Sequence, residues 1–71
     1  MIKVGDTVTW RGGFGSFAPE QVEVTYMEVT DGPREKYGEQ VSEVSEKLIR
    51  ANRVVFGLSS GNWAYSDQID L

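Results

Sequence analysis

The 71-residue chain carries 11 acidic against 7 basic side chains, a net charge of −4, and contains neither cysteine nor histidine. A chain of this length makes a single small domain, residues 1–71. The two absent residue types exclude disulfide frameworks, thiolate nucleophiles, imidazole catalysis and the usual zinc sites.

The first element follows the turn signal Gly5-Asp6. Thr7 to Arg11 alternates, with Val8 and Trp10 on one face and Thr7, Thr9 and Arg11 on the other, the period of a half-buried strand. Gly12-Gly13-Phe14-Gly15-Ser16 breaks it, and the loop runs to Pro19 and Glu20. A long second strand is predicted over Gln21 to Thr30. Val22, Val24 and Tyr26 form its apolar set at first, after which Met27 and Val29 take over; that one-residue slip predicts a bulge or sharp bend near Tyr26-Met27.

Asp31-Gly32-Pro33 is a turn, and Arg34 to Val44 carries no clear period. A short helix is predicted from Ser45 as N-cap to Asn52 as left-handed C-terminal cap, with Glu46 in the first turn and Val44 and Ile49 as a hydrophobic staple. About two turns of helix are unstable alone, so this one must dock on the rest of the fold. Arg53 to Leu58 reads as a third strand with Val54, Phe56 and Leu58 facing one way. Ser59 to Asn62 is a short hairpin loop, and Asn62 to Tyr65 is its partner strand, with Trp63 and Tyr65 on one face. Ser66-Asp67-Gln68 forms a turn ahead of Ile69. Val8, Trp10, Val24, Phe56 and Trp63 are the predicted core.

Closely spaced strands of this kind predict a mainly β fold: a small, partly open antiparallel barrel of about five strands with one short helix. The opening Val4-Gly5-Asp6-Thr7-Val8-Thr9-Trp10 resembles the first strand of many Src-homology-3-like barrels of bacterial proteins. The ending Trp63-Ala64-Tyr65-Ser66-Asp67-Gln68-Ile69 is similar to their last strand and closing turn. The acidic first-loop motif and the late Pro-Tyr pair of the signalling members are missing, so proline-rich peptide binding does not carry over.

Several constellations bear on chemistry. The Gly-rich loop leads into a strand rather than a helix and lacks a Lys-Ser or Lys-Thr pair, so it is not a phosphate cradle. Glu35, Glu39, Glu43 and Glu46 show no calcium-loop spacing and read as a solvated acidic face. No histidine is present to activate Ser16, Ser59 or Ser60. The chain therefore reads as a non-enzyme, with no catalytic residue, metal or cofactor. Its bases are scattered and its charge is negative, so no nucleic-acid partner is expected. The opening Met1 to Asp6 lacks a signal-peptide run, and no window approaches the roughly 18 apolar residues of a membrane span. A cytoplasmic location and no membrane partner are expected.

The function this implies is a small interaction module that binds a protein or peptide partner, or a second copy of itself. The alternatives are a nucleic-acid-binding small barrel and a structural accessory domain without its own ligand. The predicted binding surface gathers Arg11, Phe14, Phe17, Glu20, Tyr65 and Asp67, because pairing of the first and last strands would bring the Gly12–Glu20 loop beside the Ser59–Tyr65 hairpin. Phe14 and Phe17 either stand exposed there or plug the barrel end.

Overall fold

The computed structural model describes residues 1–12 and 18–70. In chain order the strands are β1 (Ile2–Lys3), β2 (Thr7–Trp10), β3 (Glu20–Val29), β4 (Glu39–Val41), β5 (Glu43–Val44), β6 (Val54–Leu58), β7 (Trp63–Tyr65) and β8 (Ile69–Asp70). The helix α1 (Glu46–Arg50) lies between β5 and β6, and a 3-10 turn, Ser66–Gln68, separates β7 from β8. Five strands in the order β7-β6-β3-β2-β8 make one curled antiparallel sheet, a half-barrel, with β4 added beside β3. β1 and β5 form a separate two-stranded ribbon, with Ile2 opposite Val44. Among the described residues no helix is long and apolar enough to cross a membrane.

β3 is the strand that makes this geometry work. Its first half pairs with β2, Val8 opposite Val22 and Trp10 opposite Glu20. Its second half pairs with β6, and the register shifts between Val24 and Tyr26. One extra residue at that point transfers the inward face from the even positions to the odd ones. Val22 and Val24 are buried before the bulge and Met27 after it, while Tyr26 is turned outward. The predicted slip is therefore a real bulge, and it lets one strand serve both halves of the curled sheet.

The core is built from alternate residues of these strands. Val24, Met27 and Phe56 are fully buried, packed with Val8, Val22, Val54, Leu58, Ala64 and Ile69. Trp10 is half-buried against this cluster. Trp63, expected in the core, is not there: it is 39% exposed, and its neighbour Ala64 faces inward instead, opposite Phe56. With Ala64 on the inner face, strand alternation puts its neighbours Trp63 and Tyr65 on the outer one.

The helix begins as its sequence requires. The Ser45 hydroxyl accepts the Leu48 backbone N–H at 3.4 Å, and Asn52 adopts a φ of 57° just beyond the last turn. Val44 and Ile49 are both buried in the core cluster, the pair expected of a hydrophobic staple. The Asn52 side chain then fastens α1 to the 3-10 turn: its amide donates to the Asp67 carboxylate at 3.3 Å, and its Oδ1 accepts the Asp67 backbone N–H at 3.2 Å. Two buried hydroxyls close the sheet ends. Ser66 Oγ accepts from Val54 N and donates to Val54 O, and Thr30 Oγ1 donates to the carbonyls of Gly32 and Arg53.

Candidate functional site

β6 is buried at all five positions, which a strand with one solvated face would not show. Val54, Phe56 and Leu58 join the core, but Val55 does not, although it is only 3% exposed. It lies on the outer face of the sheet, between Glu28 of β3 and Tyr65 of β7 in the ladder. The next outward position of β6 is Gly57, flanked by Tyr26 on one side and Trp63 on the other. The Tyr26 ring lies against Gly57, so close that a Cβ built there would fall 1.9 Å from its Cε2. A second, smaller apolar surface thus covers the outside of the half-barrel: Tyr26, Val55, Trp63 and Tyr65.

The loop between β3 and β4 folds onto this surface and brings two cations and a further aromatic ring, Tyr37. Trp63 and Tyr65 pack edge to face, 5.1 Å between centroids at 88°. The Arg34 guanidinium lies over the Tyr65 ring at 4.3 Å. Lys36 Nζ stands 4.8 Å from the Trp63 centroid and 5.6 Å from that of Tyr37. Arg34 is held firmly: its backbone, at a φ of 55°, donates to Asn52 O at 2.9 Å, and its guanidinium pairs with the Asp67 carboxylate. Lys36 has no ion pair among the described residues.

The residues expected at the binding surface fall into three groups. Arg11, Tyr65 and Asp67 are brought together around the 3-10 turn. Arg11 donates to the Asp67 carbonyl at 2.7 Å and pairs with Asp70 at 2.9 Å, while Arg34 bridges Asp67 and Tyr65. Glu20 is exposed and lines a groove of about 450 Å³ with Trp10, Gly12, Ala18 and Asn62. The described ends of the first loop meet the hairpin at Asn62, because the start of β3 pairs with the end of β2 at Trp10 and, four residues on, with the end of β6 at Leu58. The Trp10 indole N–H in this wall is buried with no acceptor among the described residues. Phe14 and Phe17 lie outside the described residues.

Tyr26, Arg34, Lys36, Tyr37, Val55 and Trp63 were not foreseen as site residues. Arg34 to Tyr37 sit in a stretch without periodicity, and only the fold lays that loop against β7. Two signals were legible in principle: the apolar residue Val55 between two inward positions of β6, and the exposed parity of Trp63 and Tyr65 opposite an inward Ala64. No grouping of acidic side chains suited to a metal ion occurs among the described residues. No family model matches the chain, and no curated protein or solved structure matches it.

Proposed function

We propose that this domain is a small interaction module that binds a protein or peptide partner through the outer face of its sheet, around Trp63, Tyr65 and Tyr37. The observation that carries this is the placement of rigid aromatic side chains on the solvent side of β7 and its facing loop, with Trp63 39% and Tyr37 78% exposed, over a fully covered Val55. Exposed aromatics supply large contact area at low entropic cost and are the usual anchors of interfaces. Arg34, Lys36, Asp67 and Glu28 give the patch the mixed-charge rim of a protein-binding surface. A catalytic role has no support in a chain without histidine or cysteine. The resemblance to Src-homology-3-like barrels is favoured by the 3-10 turn that precedes β8 and by the pairing of β8 with β2.

The test is affinity capture from native lysate with the wild-type chain and with Trp63→Ser. We expect the wild type to retain a partner, or a second copy of itself, and the variant to lose it with its circular dichroism spectrum unchanged. Equal capture by both would overturn the assignment of this face. The convergence of Arg34 and Lys36 on aromatic rings also suits stacking against single-stranded nucleic acid. Arg34 is neutralised by Asp67 and Arg11 by Asp70, and the net charge is −4, so the protein-binding function is the stronger one.

A further inference from the structure

We propose that the niche between the Trp63 and Tyr37 rings is a binding site for a lysine or arginine side chain of a basic partner segment, and that Lys36 occupies it in the free protein as a stand-in. This rests on the outer face being the interaction surface. Both rings lie within about 6 Å of the Lys36 ammonium, the range over which a ring face attracts a cation. The neighbouring Tyr65 ring also carries a cation, Arg34. Three of the aromatic rings of this surface, Trp63, Tyr65 and Tyr37, thus each face a positive charge.

The two cations are not equivalent. Arg34 is anchored by Asp67 and by its own backbone bond to Asn52. Lys36 has no such anchor among the described residues, and a long side chain held by ring contacts alone is readily displaced. A competing cation in the same chain lowers the apparent affinity of an incoming one, and its removal raises it. The identity of the occupant follows from charge. A domain of net charge −4 draws a basic segment and repels an acidic one. Glu28, on the same outer face and without an ion pair among the described residues, is placed to receive a second positive group.

The experiment is a heteronuclear NMR titration of the full chain with tetralysine and, separately, with tetraglutamate, following the indole N–H signals of Trp63 and Trp10. Tetralysine should shift Trp63 saturably and leave Trp10 unmoved. Lys36→Gln should bind tetralysine about two- to fivefold more tightly than Lys47→Gln, the fold-change of one exposed cation–aromatic contact. Lys47 is exposed on α1, so that control removes the same charge away from the niche. Equal affinity of the two variants would overturn the stand-in role of Lys36. A Trp63 shift with tetraglutamate instead, or none with tetralysine while Trp63→Ser still abolishes capture, would overturn the cationic ligand and leave the interaction face standing. Failure of both peptides together with undiminished capture by Trp63→Ser would overturn the face itself.

Discussion

Gly57 shows how one residue without a side chain shapes the surface of the whole domain. Its φ is not unusual; what it supplies is room for the Tyr26 ring, which reaches from β3 over β6. A methyl group there must displace the ring, which is exposed on one side and can move, but only by uncovering the outer apolar face. Gly57→Ala should destabilise the protein by about 1–3 kcal/mol, the usual cost of overpacking, as read from its urea midpoint. In a Tyr26→Ala background the same substitution should cost much less, since the two positions are in contact and their effects should not add. Additive costs would show that the strain lies in the backbone of β6. The bulge at Val24–Tyr26 belongs to this scale too, because a single extra residue turns Tyr26 outward and Met27 inward.

At the scale of elements, the helix and its ties decide how the loops sit. Ser45 caps α1 by a long bond of 3.4 Å, and Val44 and Ile49 insert on either side of that cap. Ser45→Ala should therefore cost toward the lower part of the 0.5–2 kcal/mol range typical of an N-cap, about 0.5–1 kcal/mol. A thermal midpoint that does not move would show that burial of Val44 and Ile49, rather than the cap, holds the helix start. Most of these elements were legible in advance. The alternation at Thr7–Arg11 and Arg53–Leu58, the slip at Tyr26-Met27 and the cap at Ser45 each follow from short-range sterics and hydrogen bonding, and each appears within one residue of its expected place. The ribbon of β1 with β5 and the short strand β4 were not legible. Strands of two or three residues have too few positions to display a period, and their partners lie far away in the chain.

At the scale of the molecule, the charge distribution limits what the domain can bind. Arg11 and Arg34 converge on the 3-10 turn, yet each is neutralised by an aspartate, and Arg50 is paired with Glu46. A gel-shift titration with mixed-sequence single- and double-stranded nucleic acid should show no binding at physiological salt. Micromolar affinity with a steep salt dependence would instead place the phosphate backbone on the Arg34–Lys36 surface.

What the amino-acid sequence determined by itself was the set of local decisions: which stretches extend, where the chain turns, where the helix starts and that the fold is a small antiparallel half-barrel. These depend on side-chain periodicity and on groups a few residues apart. Only the tertiary structure decided where the candidate site lies. Trp63 is a large apolar residue and was expected inside, but Ala64 is the buried position opposite Phe56, and strand alternation turns Trp63 and Tyr65 to the outer face. The loop carrying Arg34, Lys36 and Tyr37 has no pattern of its own, and it reaches Trp63 and Tyr65 because Asn52 and Asp67, distant in sequence, hold Arg34 in place. A surface assembled from three separated segments has no signature along the chain, since its residues become neighbours only when the sheet curls.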